Sequence, residues 1–272
     1  LHDSDKVNPR KVLVVGGGIA GMQAALTATE NGHKVILCEK SGRLGGRIRC
    51  EEKVPFKKHL SEYIAQRERL IAESSIEVRL NTEVTPEYAR SVGADAIIAA
   101  LGTKPVKPNI DGIDGANVML ADDAYAEPDR VGESAVILGA GFVGTELAIY
   151  LHSVGKKVTV VEMGDKINTA GNNLHGIAVR LKMEEENIPI HFSSKAVKID
   201  EKGVVCETPD GTVRYDADTV IYAVGQKSLT DETAALYDCA PRFYPIGDCV
   251  TPQNIGYATL TGMSVARDIG RY

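Results

Sequence analysis

The sequence predicts an α/β protein of two parallel-sheet domains with β-meanders, the second domain inserted in the first. Three observations carry this. A strand–turn–helix–strand pattern of roughly 30 residues occurs twice. Each copy contains a Gly-x-Gly-x-x-Gly turn and closes on a glutamate. Short alternating segments separated by glycine turns follow the second copy.

The first copy opens with Val12-Leu-Val-Val15, an apolar run suited to a strand covered on both faces. Gly16-Gly-Gly18-Ile-Ala-Gly21 turns it into a helix, and Lys34-Val-Ile-Leu-Cys38 is the next strand, closed by Glu39. The second copy runs from Ala135-Val-Ile-Leu138 through Gly139-Ala-Gly141-Phe-Val-Gly144 to Lys157-Val-Thr-Val-Val161 and Glu162. Gly32 and Gly155 also coincide in register. This is the fingerprint of Rossmann-like dinucleotide-binding units. Gly16 and Gly139 allow the sharp turn, Gly18 and Gly141 let a pyrophosphate approach the main chain, and Gly21 and Gly144 let helix pack on strand. The helix N-terminal N–H groups face the phosphates. Glu39 and Glu162 are placed to accept hydrogen bonds from a ribose. Two copies imply two nucleotides and electron transfer between them.

Between the copies, Phe56, Leu60, Tyr63, Ile64, Leu70 and Ile71 are spaced for a helix, with Lys57, Lys58, Arg67, Glu68 and Arg69 as its solvated face. Glu77–Leu80 reads as a short strand, and Ala94–Ala100 as a buried one closed by Leu101-Gly102-Thr103. Residues Asp111–Gly132, with glycines and acids, read as the crossing into the second domain. After the second copy come a helix over Leu174–Glu186 and a strand at Ile190–Phe192. A meander follows over Ala196–Ile199, Val204–Glu207 and Val213–Ala217, with turns at Glu201-Lys-Gly203 and Pro209-Asp-Gly211. Thr219–Gly225 returns as a buried strand, and the chain ends through Gly247-Asp248 in a helix.

At 272 residues, 43% hydrophobic and 25% charged, the composition fits two globular domains. A net charge of −6 gives no footprint for nucleic acid or an anionic membrane, and no apolar run is long enough to span a bilayer. Cys38, Cys50, Cys206, Cys239 and Cys249 form no Cys-x-x-Cys pair, which points to reduced thiols in a cytoplasmic setting and away from a metal site or redox dithiol. The histidines show no ligand spacing and read as structural or surface residues. The chain starts at Leu1 with a polar, unpatterned stretch, as expected of a piece of a longer polypeptide.

Five ordered features resemble the flavoproteins with two dinucleotide-binding domains, the wider family of glutathione reductase and thioredoxin reductase. They are the two glycine motifs, Gly42-Arg-Leu-Gly45-Gly46-Arg47, Ala99-Ala-Leu-Gly102-Thr103 and Gly247-Asp248. Together they cover residues 10–270. The resemblance implies an FAD site built from Gly16, Gly18, Ala20, Gly21, Glu39, Lys40, Gly46, Arg47, Val84, Ala100, Gly102, Gly247 and Asp248. In it Arg47 lies along the pyrophosphate, Val84 offers backbone groups to adenine, and Asp248 accepts from the ribityl chain. Arg47 as a surface residue, Val84 as a plain core valine and Asp248 as N-cap of the last helix are the bland readings. The resemblance further implies an NADH site at Gly139, Gly141, Val143, Gly144, Glu146, Glu162 and Gly225. The FAD domain is expected over residues 1–128 and 228–272, and the NAD(H) domain over 129–227.

A finer resemblance is to the C-terminal half of the NADH:flavin oxidoreductases similar to 2,4-dienoyl-CoA reductase, 2-enoate reductase and trimethylamine dehydrogenase. Ile113-Asp-Gly, Asp122-Asp123-Ala-Tyr125 and Phe243-Tyr-Pro-Ile-Gly-Asp-Cys249 carry it. It implies an N-terminal barrel, with FMN and an iron–sulfur cluster, that this sequence does not contain, so the half-reaction from NADH to FAD is what is left here. The barrel or another electron acceptor is then the expected partner.

Hydride transfer between nicotinamide and flavin needs no protein nucleophile, so no catalytic residue is expected. Glu146 is either a contact for the nicotinamide carboxamide or a helix-dipole partner. The Glu162 carboxylate would repel a 2′-phosphate, and Met163-Gly164 brings no clamp for one although Lys166 is near, so NADH is favoured over NADPH. Two other readings stay open: a stand-alone reductase of the thioredoxin or ferredoxin reductase type, and a non-catalytic scaffold for ADP or NAD. Gly247-Asp248 weighs against the scaffold, since a ribityl-binding acid has no use without a flavin.

Overall fold

The computed structural model describes residues 7–271; the polar start expected of a trimmed chain lies, for residues 1–6, outside them. The chain forms two compact units. Unit 1 comprises Leu1–Arg49, Lys58–Lys104 and Gln226–Tyr272, and unit 2 comprises Cys50–Lys57 and Pro105–Gly225. In chain order unit 1 carries β1 (Lys11–Val15), α1 (Ile19–Glu30), β2 (Lys34–Cys38), α2 (Lys58–Ala72), β3 (Glu77–Arg79), α3 (Pro86–Val92), β4 (Ala96–Ala99) and β5 (Thr103–Pro105), whose last residue is the first of unit 2. Unit 2 follows with β6 (Val118–Leu120), α4 (Ala121–Ala126), β7 (Ser134–Leu138), α5 (Phe142–Ser153), β8 (Lys157–Val161), α6 (Asn173–Glu185), β9 (Ile190–His191), β10 (Lys195–Asp200), β11 (Gly203–Thr208), β12 (Gly211–Asp216) and β13 (Thr219–Tyr222). The chain re-enters unit 1 with β14 (Gln226–Ser228), α7 (Thr230–Ala234), β15 (Arg242–Pro245) and α8 (Ile255–Asp268).

Both units are Rossmann-like. Unit 1 holds a parallel sheet in the order β15-β4-β1-β2-β3 and unit 2 one in the order β6-β13-β7-β8-β9. Crossover helices cover sheet faces, so the central strands are buried on both sides: Val12, Leu13 and Val14 have no exposed surface. Their alternate residues enter different cores. Val12 and Val14 pack with α1, Ile64, Ile71 and Ala266, while Leu13 and Val15 pack with Ala89, Val92 and Leu236. The meander β10-β11-β12 is antiparallel and lays Val204, Cys206 and Ile199 on Val136, Leu138 and Val220 of the unit 2 sheet.

Three expectations are corrected. Residues Asp111–Gly132 are not a plain crossing, because they supply the edge strand β6 and the helix α4 of unit 2. Val118-Met-Leu120 pairs with β13, and Ala121, Ala124 and Tyr125 enter the core; the acids read as linker stand in the first turn of α4. Phe56 is outside the helix it was expected to start: α2 begins at Lys58, after the 3₁₀ turn Pro55–Lys57. Cys50–Lys57, expected with the first domain, clusters with unit 2, where Val54 is 1% exposed in the core. Unit 2 also closes on itself, since Val106 N–H donates to the Gly225 carbonyl at 3.0 Å.

His33 ties the unit 1 helices to the start of β1. Its Nδ1 accepts from Arg10 N at 3.1 Å and its Nε2 lies 3.0 Å from the Ile269 carbonyl, so the neutral Nε2–H tautomer satisfies both. Burial lowers its pKa; the Ile269 carbonyl opposes this and the Arg10 charge adds to it. A group held neutral in the folded state keeps its full contribution above the ordinary imidazole value of about 6.5 and loses it as pH falls through that value toward the folded pKa. Urea melts from pH 8 to 5.5 should show the wild type losing stability below pH 6.5 more steeply than His33→Gln. Equal slopes would remove His33 as the cause.

Candidate functional site

In unit 1 the chain leaves the C-terminal ends of β1, β2, β4 and β15 on one edge of the sheet, where ligands of open α/β sheets bind. Gly16 follows β1 at φ +102°, and a Cβ there would overlap the Ala100 carbonyl oxygen. A Cβ on Gly21 would overlap the Gly16 carbonyl, so no larger residue fits between turn and helix. Gly18 is the N-cap of α1 and differs: a Cβ would find only Gly46 Cα, at 3.8 Å. The 42–47 stretch folds back on this turn, with Gly45 N donating to Gly17 O at 2.8 Å. Gly46, at φ +67°, comes so near that a Cβ would stand 2.8 Å from Gly18 Cα. Arg47 is the next residue, half-buried in the 3₁₀ turn Gly46–Glu51.

Glu39, 8% exposed, points its carboxylate back at the turn. Oε2 accepts from Gly17 N at 2.7 Å, and Oε1 accepts from Ser41 N and Ser41 Oγ, each at 2.8 Å. A carboxylate offers about four acceptor positions, so one is left for a ligand hydroxyl. Lys40 beside it is exposed. Thr82 N donates to Glu39 O at 2.9 Å, which brings the 79–84 segment alongside, and Val84 packs half-buried on the cluster of Val15 and Cys38. Ala100 N donates to Val15 O at 2.8 Å, and the Gly102 carbonyl accepts from Leu229 N at 3.2 Å. Gly247 sits on α1, where a Cβ would stand 2.9 Å from Ala20 Cβ, and its N–H donates to Thr261 Oγ1 at 3.1 Å. Ala20 is in turn approached by α8 at Gly262, whose Cβ would be 2.6 Å from the Ala20 carbonyl. Asp248 is half-buried, with Oδ1 accepting from Gln253 N at 3.2 Å. It does not cap the last helix; Asn254 does, accepting from Tyr257 N at 2.9 Å.

Unit 2 repeats this geometry. Gly139 turns at φ +108°, with a Cβ that would be 2.6 Å from the Ala223 carbonyl, and a Cβ on Gly144 would overlap the Gly139 carbonyl. Gly141 caps α5 and has no atom within 4 Å of a Cβ position. Glu162 Oε2 accepts from Ala140 N and Oε1 from Gly164 N, both at 2.7 Å. Two acceptor positions remain on it, where Glu39 keeps one. Gly225, at φ +115°, is likewise open around its Cβ position. Val143 contributes a carbonyl, which accepts from the buried Tyr125 hydroxyl at 3.0 Å.

Glu146 is not a free helix-end acid. Its side chain is 13% exposed, with Oε2 paired to Lys57 and Oε1 lying 2.5 Å from His175 Nε2. Lys57, expected on a solvated face, also pairs with Glu51 at 2.8 Å and lies over the Tyr125 ring. Burial opposes its charge, but Glu51 and Glu146 outweigh that and hold it above the usual lysine value. Sequence spacing gave no signal for either partner, because Lys57 and His175 come from distant segments and meet Glu146 only through the tertiary fold. Ser41, which shares Glu39 with Gly17, was missed too; its place two residues after the acid is the usable signal. Two thiols are held out of redox chemistry: burial pushes Cys206 up to about 11 and raises Cys38, so both stay protonated at neutral pH. Among the described residues no helix is long and apolar enough to cross a membrane, and no group of three His, Cys, Asp or Glu could hold a metal.

Both turns thus pair an open second glycine with a carboxylate hydrogen-bonded to the turn backbone, an arrangement that fits a dinucleotide. Comparison with known proteins agrees. The pyridine nucleotide-disulphide oxidoreductase family matches residues 10–260. The cinnamate reductase of Clostridium sporogenes is 35% identical over 96% of this chain and 39% of its own length. The NADH oxidase of Thermoanaerobacter brockii is 32% identical over 96% of this chain and 41% of its own. A solved 2-naphthoyl-CoA reductase in complex with 2-naphthoyl-CoA superposes with a TM-score of 0.88 at 31% identity, covering 97% of this chain and 41% of that one. The chain therefore spans about two-fifths of the length of these relatives.

Proposed function

The chain belongs to the pyridine nucleotide-disulphide oxidoreductase family, and from that premise we propose that it is an FAD-dependent module oxidising NADH within a larger NADH:flavin oxidoreductase. The duplicated turn-and-carboxylate geometry, Glu39 on Gly17 N and Glu162 on Ala140 N, carries this reading. In it unit 1 serves FAD, and unit 2, with Cys50–Lys57 and Pro105–Gly225, serves NADH. The flavin and nicotinamide supply the hydride chemistry when bound. The chain's own residues bind and orient. The first N–H groups of α1 and α5 meet the pyrophosphates beside Gly18 and Gly141, where no side chain intervenes. Arg47 adds charge beside Gly46, Asp248 accepts from the ribityl chain, and Val84 lies along the adenine. Lys40, Ala100 and Gly102 complete the FAD side; Val143 and Gly225 complete the NADH side. Glu162 accepts from the ribose 2′-hydroxyl and repels a 2′-phosphate, so NADH is preferred to NADPH. Glu146 accepts from the nicotinamide carboxamide.

The FMN, iron–sulfur cluster and enoate-type substrate site belong, in this reading, to a barrel domain outside this stretch of sequence, and the electrons leave through it in the cytoplasm. Protonated, buried thiols weigh against a dithiol relay. A visible spectrum recorded without oxygen tests the core of the proposal. The flavin-loaded chain should bleach when NADH is added, faster than with NADPH. A chain that takes up no flavin, even after soaking with FAD, would instead be a nucleotide scaffold.

A further inference from the structure

We propose that His175 is a positioning residue for the nicotinamide end of the unit 2 site, orienting the Glu146 carboxylate toward a carboxamide N–H. This rests on the NADH reading above and deepens it. Glu146 stands in the second turn of α5, past the N-cap Gly141 over which a pyrophosphate would lie. Lys57 occupies Oε2 and His175 reaches Oε1 at 2.5 Å. Each carboxylate oxygen has about two acceptor positions, so Oε1 retains one beside the imidazole. Two anchors on different oxygens fix the carboxylate plane. With Lys57 alone it would pivot about a single point charge, which carries no directional preference.

His175 is itself fixed by several contacts. Its ring meets Phe142, the first residue of α5, edge-on with centroids 4.6 Å apart. Asn172 caps α6, accepting from His175 N at 3.3 Å. Upstream, Asn168 N donates to Ala140 O at 3.1 Å and Asn168 bridges to Gly141, so the connection into α6 is pinned to the glycine turn. The imidazole nevertheless remains 42% exposed. A ligand running from Gly141 toward Glu146 therefore meets an oriented carboxylate acceptor and a ring edge already in place. Since the partner is a carboxylate, Nε2 carries a proton in this pair whichever charge state the ring takes.

The test separates the two halves of the dinucleotide. Calorimetry on the full chain, with NAD⁺ and with ADP-ribose, is run for the wild type, His175→Ala and His175→Gln. His175→Ala should weaken NAD⁺ about tenfold, the loss of one hydrogen bond to a charged group, and leave ADP-ribose unchanged. His175→Gln keeps a donor and should recover most of the NAD⁺ affinity. Unchanged NAD⁺ binding in His175→Ala, or equal weakening of both ligands, overturns the role while the NADH reading stands. A wild type that binds neither ligand overturns that reading and this one with it.

Discussion

Gly144→Ala should unfold several degrees below the wild type and lose NADH-dependent flavin reduction, while Gly141→Ala, three residues earlier, should melt like the wild type and still bind NAD⁺ poorly. The two glycines share a motif but not a constraint. A Cβ at 144 would overlap the Gly139 carbonyl and come within 3.4 Å of Ala223 Cβ, so α5 must move off the sheet. Overpacking of this kind costs about 1–3 kcal/mol, and at this chain length each of those corresponds to about 2–4 °C in Tm. At 141 the backbone is extended, with φ −77° and ψ 177°, and no atom lies within 4 Å of the Cβ position. The added methyl meets only what binds there, so the defect should be confined to the dinucleotide. Thermal melts with and without NAD⁺ distinguish them. A Gly141→Ala variant with wild-type NAD⁺ affinity would mean that no pyrophosphate approaches that face.

Glu162→Ala should raise the NADH Kd by about tenfold to a hundredfold, the range for hydrogen bonds to a charged group, and narrow the preference over NADPH. Two effects combine. The ribose loses its acceptor, and Ala140 N and Gly164 N lose the carboxylate that holds the turn against the end of β8. Glu162→Gln keeps an acceptor without the charge, so it should retain more NADH affinity than Ala while admitting NADPH. Titrations of both nucleotides against the three proteins read this directly. An unchanged NADH affinity in Glu162→Ala removes Glu162 from the site.

The parts of the fold legible in sequence were those fixed by local chemistry. The runs Val12–Val15 and Ala135–Leu138, the glycine turns and the terminal acids announce their own conformations, because residue type and short spacing record the constraint even where its source, as Ala100 is for Gly16, lies far along the chain. Residues 118–126 were not legible: a three-residue strand has no period to detect, and only its pairing with β13 makes it a strand. Both glycine turns and the acids that hydrogen-bond back to them could be located from sequence alone. The environment of Glu146 could not, since Lys57 looked like one solvated lysine among several and His175 like an isolated histidine. Asp248 and Asn254 show the same limit at short range, where a Gly-Asp pair suggests a cap that geometry gives to a later residue.

The hydrogen bond from Val106 to Gly225 makes residues 105–225 look like a portable cassette, with entry and exit side by side. It is not portable. Val54 fills a slot in the unit 2 core, and Lys57 pairs with both Glu146 and Glu51. Both come from a loop encoded between β2 and α2, inside the other unit's stretch of sequence. Excising 105–225 would leave a void where Val54 packs and a mostly buried Glu146 without its lysine. Recombination that swaps one nucleotide unit for another must therefore carry two separate pieces of the gene, and exchange of the long piece alone selects against itself.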